Sequence, residues 1–392
     1  MADANSIGAR LRAARGSRGL TQEELAEAAG LSRDLIAKLE QGQRKSARVT
    51  SLVKLANALD VELSALIGKR DQLGTDRDGG SVLALRNVLL SPSLLPDLDD
   101  GHDGEPTPLP QITTAVQNAC SAYWNGQFAS LIAELPGLIT EARLTREAVG
   151  PEATYPLAMA YDLAASLMIH FGRDDLAAIS AERAVNVARA GNDELLWATL
   201  HATYAWVLLH QARLHEAEQL AVGMASRIEP SFSAPAEHVA VWGNLLLCAF
   251  APTAAAGRDI ADYAAMATAG AERLRGTVEI YNSTFGPARV AEQETHAYTV
   301  LQASGKALAA SRRVFPGDLA GIAYGRHLLD VAQAHLDARH RKTATERLLQ
   351  ARSQSVVWFR HQAVARDLVE CIREEEARSS PEVRSLATSL GI

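Results

Sequence analysis

The stretch Thr21-Gln22-Glu23-Glu24-Leu25-Ala26-Glu27-Ala28-Ala29-Gly30-Leu31-Ser32-Arg33-Asp34-Leu35-Ile36-Ala37-Lys38-Leu39 decides the N-terminal fold. Two short helical patterns meet at one glycine. Thr21 is placed to cap a helix over 22–28, and Ser32 to cap a second over 33–41 that stops at Gly42. Ala26 is small where the two helices must touch. Gly30 sits in the turn, where a positive φ is required. Leu25, Ala29, Leu31, Ile36 and Leu39 are apolar at the positions that lock the crossing angle. Outward from this core, residues 6–17 read as a preceding helix with Ile7, Leu11 and Ala14 on one face. Residues 50–59 and 63–67 read as a fourth and a short fifth helix.

The chain has 392 residues, enough for two or three domains with their own cores. Hydrophobic residues make up 47% and aromatic residues only 5%, with alanine abundant, a balance that favours helix over strand. No run of 18 apolar residues is expected to cross a membrane, because the best candidate, Val239 to Ala251, is broken by Gly243 and Asn244. The start, Met-Ala-Asp-Ala-Asn, lacks the basic and apolar regions of a secretion signal. Cys120, Cys248 and Cys371 lie far apart in helical patterns and read as buried free thiols of a reducing compartment, so a cytoplasmic location is expected. Residues 1–70 carry 12 basic and 8 acidic side chains, while the remainder carries 27 and 38. A basic head on an acidic body suits a protein that meets a polyanion with one end.

Residues 1–70 are therefore read as one domain and 71–110 as a linker. The linker is polar and glycine-rich at first, proline-rich and acidic later, with one short helix over 82–90. From residue 111 to 392, helices alternate with short breaks. Phe171-Gly172-Arg173-Asp174-Asp175-Leu176-Ala177 aligns with Gln211-Ala212-Arg213-Leu214-His215-Glu216-Ala217, and the turns before Ala307 and Ala344 stand in the same relation to their flanking helices. Each small residue marks a close crossing of two helices. Helix pairs are expected near 112–147, 155–190, 194–229, 236–275, 288–314 and 321–354, with a last piece over 356–390. The spacing resembles tetratricopeptide-like repeats; an irregular all-helical domain is the alternative. The expected fold is all-α: a five-helix head joined by a linker to a repeat superhelix.

Thr21-Gln22-Glu23-Glu24-Leu25-Ala26 and Leu39-Glu40-Gln41-Gly42 resemble the strings of the XRE family, the phage-repressor-like helix-turn-helix regulators, over residues 6–68. The resemblance implies binding of double-stranded DNA, with the third helix in the major groove and dimers on a palindromic operator. Arg33, Asp34, Ala37 and Lys38 are then expected to face bases. Arg33 pairs with guanine, and Asp34 either accepts from cytosine or orients Arg33. Gln22 resembles the family glutamine that contacts phosphate and braces the recognition helix. Gln41, Arg44, Lys45 and Arg48 follow that helix and are expected at phosphates, or else form a solvated loop. Residues 1–70 hold no obvious dimerisation helix, which leaves the C-terminal body as the expected homodimer surface.

If the repeats superpose, one face is lined by Asp162, Ser166 and His170, then Thr199, Trp206 and His210, then Asn244, then Arg289, Glu292 and His296, then Arg326 and Gln333. The two arginines point to an anionic group on a ligand, or else to pairing with Glu292 or Asp337. Trp206 offers apolar contact area. The segment 276–287 is too long for a tight turn; it is either a functional loop with Asn282 and Phe285 at the groove or a plain connector. A helix-turn-helix followed by such repeats also resembles peptide-sensing quorum regulators of Gram-positive bacteria and regulators of filamentous actinobacteria. That resemblance implies a small-molecule or peptide signal that modulates operator binding. The alternative is a repeat domain that binds a protein partner. No glycine-rich phosphate loop, nucleophile elbow or metal-spaced His/Cys set is visible, so neither catalysis nor a cofactor is expected.

Overall fold

The computed structural model describes residues 6–44, 47, 49–61, 65–66, 82–91, 105–375 and 380–392. The chain divides into two compact units, one built on residues 1–72 and the other on the bulk of 73–392.

The first unit contains α1 (Ile7–Ser17), α2 (Gln22–Ala29), α3 (Arg33–Glu40) and α4 (Val49–Leu59). Local chemistry starts and stops each one. The Ser6 and Ser32 hydroxyls accept from the Ala9 and Leu35 amides. Thr21 and Glu24 form a reciprocal capping box, which satisfies two amides that the helix itself leaves unpaired. Gly30 ends α2 with φ 59°, a left-handed conformation that any Cβ would strain. Leu11, Leu25, Ala26, Ile36, Leu39, Leu52, Leu55 and Leu59 form the core. Gly8 is a second obligatory glycine: a Cβ there would lie 1.8 Å from the Leu39 carbonyl oxygen, so α1 and α3 touch through their backbones. The expected fifth helix lies mostly outside the described residues, as does most of the linker.

The second unit begins with α5 (Val82–Leu89). This is the helix expected within the linker, but it does not stand free: Leu85 and Leu89 are fully buried in the core of the helical body. Helix pairs follow: α6 (Leu109–Trp124) with α7 (Phe128–Val149), α8 (Thr154–His170) with α9 (Asp174–Arg189), and α10 (Glu194–His210) with α11 (Leu214–Arg227). Next come α12 (Ala236–Ala255) with α13 (Ala261–Glu272), α14 (Pro287–Val300) with α15 (Ser304–Ser311), and α16 (Gly321–Asp337) with α17 (Arg341–Gln354). The short α18 (Val356–Arg360), α19 (Ala363–Glu375) and α20 (Pro381–Leu390) complete it. Ala177, Ala217, Ala307 and Ala344 are all buried where the two helices of a pair cross.

The turns inside the pairs share one geometry that the residue types hide. Gly126, Gly172, Ala212, Gly257, Gln302 and Arg339 all have φ between 62° and 77°. After each, the next amide donates to a carbonyl five residues back, as in Arg173 to Met168 (2.9 Å), Ala303 to Tyr298 (2.8 Å) and His340 to His335 (2.8 Å). This is the Schellman closure of a helix end. Three of the six residues are not glycine and accept the strain of a left-handed backbone.

Two features depart from the expectation. First, 276–287 folds as a hairpin, β1 (Val278–Ile280) and β2 (Ser283–Phe285), antiparallel with Ile280 opposite Ser283. Its two-residue turn, Tyr281-Asn282, has φ of 46° and 61°, the double positive φ of a primed turn. Second, α12 is by length and composition apolar enough to cross a membrane, since Gly243 and Asn244 do not break it. Its side chains instead pack into the core of the unit: Trp242, Leu246 and Phe250 are all buried there.

The first pair also meets the last ones. A Cβ on Gly321 would lie 1.9 Å from the Trp124 carbonyl oxygen, and the Ser355 hydroxyl donates to the Gly126 carbonyl at 3.4 Å. Trp124 packs with Val314, Leu319 and Ala323.

Candidate nucleic-acid interface and polar clusters of the helical unit

Exposure along α3 sorts its residues into two faces. Ile36 and Leu39 point into the core, while Arg33, Asp34 and Lys38 are exposed and Ala37 is half-exposed between them. The four residues expected at bases therefore share one surface. Arg33 has no side-chain partner among the described residues and is free to reach a ligand. Asp34 does not orient Arg33: its carboxylate pairs with Lys38 one turn on, at 2.7 Å. Gln41 and Arg44 are exposed just past α3, and the Arg44 amide donates to the Lys38 carbonyl at 2.9 Å. Lys45 and Arg48 lie outside the described residues.

Behind this surface a clamp holds α3. Arg15 on α1 makes two hydrogen bonds to the Glu40 carboxylate, at 2.6 and 2.8 Å, and a third to the Leu20 carbonyl at 2.6 Å. Gln22 on α2 donates to the same carboxylate at 2.8 Å. Burial pushes the Glu40 carboxyl up; the bonds from Arg15 and Gln22 more than offset it and hold it below the usual carboxylate range. Gln22 thus ties the start of α2 to the end of α3 through Glu40. Sequence reasoning missed Arg15 and Glu40, although Glu40 lies within the quoted string Leu39-Glu40-Gln41-Gly42. Their partnership spans 25 residues, and no local pattern encodes it.

In the helical unit the expected lining residues fall into two clusters. In the first, His170 packs between Phe128 (ring centroids 4.9 Å apart) and Trp206 (5.7 Å), and its Nε2 lies 3.1 Å from the Tyr123 hydroxyl. One turn below His170, Ser166 leads to Asp162, which is buried with one carboxylate oxygen unpartnered. Burial pushes the Asp162 carboxyl up to about 6, against a hydrogen bond from Thr203. Burial, and then Asp162, push the Cys120 thiol up to about 12, and burial pushes Cys248 to about 11. The three cysteines are free but half-buried rather than buried. His210 is half-exposed at the end of α10.

The second cluster joins α14 and α16. Arg289 pairs with Glu292 at 2.7 Å, and Gln293 donates to the same carboxylate at 2.9 Å. Arg326 lies 3.6 Å from the Asp330 carboxylate, which His296 also meets at 3.1 Å. Each expected anion-binding arginine thus faces a carboxylate of its own helix, and Glu292 and Asp330 cancel the charge on which that expectation rested. The partner of Arg326 is Asp330; Asp337 instead accepts from Gln333 at 2.9 Å. His327, beside Glu292 and Asp330, is buried, and burial lowers its pKa despite those carboxylates.

Two further assignments change. Phe285 is fully buried beneath Gly243, where a Cβ would lie 2.1 Å from its ring; it is the keel of the hairpin and cannot line a groove. Asn282, at the hairpin tip, accepts from the Trp124 indole N–H at 2.6 Å, so it holds the first pair. The other tip residue, Tyr281, donates to the Asp193 carboxylate at 2.5 Å. Asn244 is buried on α12. Beside Asp193, the turns between successive pairs border an open cleft of about 730 Å³ that sequence reasoning missed.

Residues 11–66 match a protein-family model described as helix-turn-helix. An immunity repressor protein of Bacillus phage phi105 is 39% identical over 64 residues, which is 16% of this chain and 44% of that protein. The chain thus spans under half the length of that curated relative. Among solved structures, BtubC from P. vanneervenii is 14% identical, with a TM-score of 0.33 over 70% of this chain and 95% of that one. PlcR of Bacillus thuringiensis, solved with the peptide PapR7 and DNA, is 14% identical, with a TM-score of 0.29 over 69% and 95%. ComR of S. thermophilus, solved with DNA and its signalling peptide ComS, is 12% identical, with a TM-score of 0.29 over 99% and 100%. Residues 11–66 carry a helix-turn-helix domain.

Proposed function

We propose, from the helix-turn-helix domain at residues 11–66, that this chain is a sequence-specific DNA-binding transcriptional regulator whose helical unit binds a small molecule or peptide that modulates operator binding. The observation that carries the DNA reading is the row of exposed Arg33, Asp34 and Lys38 around half-exposed Ala37, on a helix clamped from behind by Arg15, Gln22 and Glu40. A clamped helix with the exposed Arg33 at its start suits base edges, with Lys38 held by Asp34 one turn back, whereas Gln41, Arg44, Lys45 and Arg48 suit phosphates. A homodimer on a palindromic operator, paired through the helical unit, and a cytoplasmic location belong to the same reading.

The ligand reading is supported by buried polar atoms left without partners: an Asp162 oxygen, Arg289 Nε and His327 Nδ1. Each such group costs about 1–3 kcal/mol, and more when it is charged. The alternative, a protein partner with no small ligand, is separated by thermal-shift screening of the full chain against culture extract. A small stabilising compound that changes operator affinity supports sensing; capture of a stoichiometric protein alone refutes it. For the DNA contacts, Arg33→Ala relaxes base preference while Lys45→Ala weakens all sequences and lowers the salt slope by about one. Binding to selected duplexes that neither substitution alters refutes the assignment.

A further inference from the structure

The hairpin β1–β2 is held in different ways at its two ends. At the root, Phe285 is fully buried with its ring where a Cβ on Gly243 would stand. The strands also close tightly there, since a Cβ on Gly286 would come within 3.0 Å of the Gly276 carbonyl oxygen. The root therefore cannot shift without disturbing α12. The tip has no such seating. Tyr281 and Asn282 are half-buried, and both take a positive φ without being glycine. Two strands of three residues each do not hold a hairpin on their own.

What holds the tip lies far back in the chain. Asn282 accepts from the Trp124 indole at the end of α6, 158 residues away. Tyr281 donates to Asp193, just before α10 and 88 residues away, and its ring centroid lies 6.4 Å from that of Tyr155 in the first turn of α8. The tip thus reaches back to the first three helix pairs. Asp193 gives its other oxygen to the Leu196 amide at 2.9 Å, so losing Tyr281 does not uncap α10. Trp124 is also where the first pair meets the last ones: its side chain packs with Val314, Leu319 and Ala323, and its carbonyl abuts Gly321. Asn282 therefore holds the single polar atom of a side chain whose apolar faces close the array.

We propose that the hairpin is a strap that swings on its Phe285 root, and that its docked tip tightens the closure between the first pair and α16 through Trp124. With the tip released, Trp124 keeps only its apolar contacts, and the end of α6 and the start of α16 loosen together. The Tyr155 ring and the Asp193 carboxylate lose their cover in the same step. Release needs no unfolding: two side-chain hydrogen bonds and one aromatic contact separate the two forms, and the left-handed turn relaxes as it leaves. Openings of this size occur well below the free energy of global unfolding. The strap operates whether or not a ligand exists; a ligand of the helical unit would bias it only by preferring one of the two forms.

The test is amide hydrogen exchange on the full chain, comparing the wild type with the double variant Tyr281→Phe/Asn282→Gly. The variant removes both polar anchors, keeps a ring at position 281 and gives the left-handed φ at 282 to a glycine. Tip amides, 281–284, are expected to exchange about tenfold faster, as the loss of two hydrogen bonds dictates. Amides at the end of α6, 125–127, and at the start of α16, 323–324, speed up several-fold with them, while those of Phe285 and α12 keep wild-type rates. Asn282→Gly alone raises the rates at 125–127 and 323–324; Asn282→Asp, which keeps an oxygen for the indole, leaves them at the wild-type value. A hairpin that is merely structural would not separate those two substitutions. Faster exchange that stays within the tip, that spreads to Phe285 and α12, or that is absent everywhere overturns the proposal. The wild type supplies a check that needs no variant. In low guanidinium its tip amides open at a lower free energy than those of α12; tip amides that open only together with α12 overturn the strap.

Discussion

Glu40→Gln is the most informative single change in the DNA-binding unit. The wild-type carboxylate accepts two hydrogen bonds from Arg15 and one from Gln22, and its side chain is only 3% exposed. The amide keeps one acceptor oxygen, which at the Oε2 position still meets Arg15 and Gln22, and turns an NH2 toward the Arg15 Nε–H donor. Breaking a buried ion pair costs about 3–5 kcal/mol. Arg15 keeps the Leu20 carbonyl and is 16% exposed, so the loss is placed lower, at about 2–3 kcal/mol. For a domain of about 60 residues, each kcal/mol lowers Tm by about 4–8 °C, giving a fall of about 8–24 °C in the first calorimetric transition of the full chain. DNA affinity in the cold is expected to survive and to vanish on warming. The pH dependence carries the same signature. The folded Glu40 pKa is depressed, so its contribution is present above the unfolded value of about 4.3 and is lost as pH falls through the lower folded value. The variant loses that acid limb. A Tm shift below about 2 °C, or Arg15→Gln and Glu40→Gln effects that simply add, would refute the clamp.

Gly243→Ala drives a methyl into the Phe285 ring and destabilises the helical unit by about 1–3 kcal/mol in urea, with partial rescue by Phe285→Leu; a neutral effect contradicts the packing. Gln302→Gly and Arg339→Gly each raise stability by about 0.5–1 kcal/mol, because both side chains are exposed and only backbone strain is removed, whereas Gly172→Ala lowers it; calorimetry that reverses these signs removes the left-handed turns. Asp162 has its folded pKa raised to about 6, so the wild type loses stability relative to Asp162→Asn as pH climbs from about 4 to about 6, by about 2–3 kcal/mol. A stability difference between the two that stays flat over that window means the carboxyl is not desolvated.

What the sequence revealed, and what it hid, divides along the range of the interactions. Caps, turns and helix stripes are local, and so Thr21, Gly30, Ser32 and the alanines at the pair crossings were readable from their neighbours. The exposed face of α3 followed from the same helical period. The hairpin was not readable, because Tyr281-Asn282 carries a primed turn without the glycine that usually announces one. The two arginines were placed correctly on their helices, yet their charge state in the site depended on Glu292 and Asp330, three and four residues away, and on burial that periodicity alone does not weigh. Phe285 was misjudged because its partner glycines, Gly243 and Gly270, lie far back in the chain. The cleft was invisible for the same reason, since its walls come from three separate turns.

The meeting of the first helix pair with the last ones changes how this unit must fold and fail. A linear array contacts only its neighbours, nucleates anywhere and frays from either end. Here the Trp124 carbonyl abuts Gly321 and the Gly126 carbonyl accepts from Ser355, contacts that span some 200 residues of chain. Closing so long a loop comes late and slowly, because its entropy must be spent before the contact rewards it. Once closed, no end pair remains to peel away. Removal of the segment from α16 onward would therefore unsettle the opening pair as much as the neighbouring one, and the array would melt as one cooperative body instead of unravelling repeat by repeat.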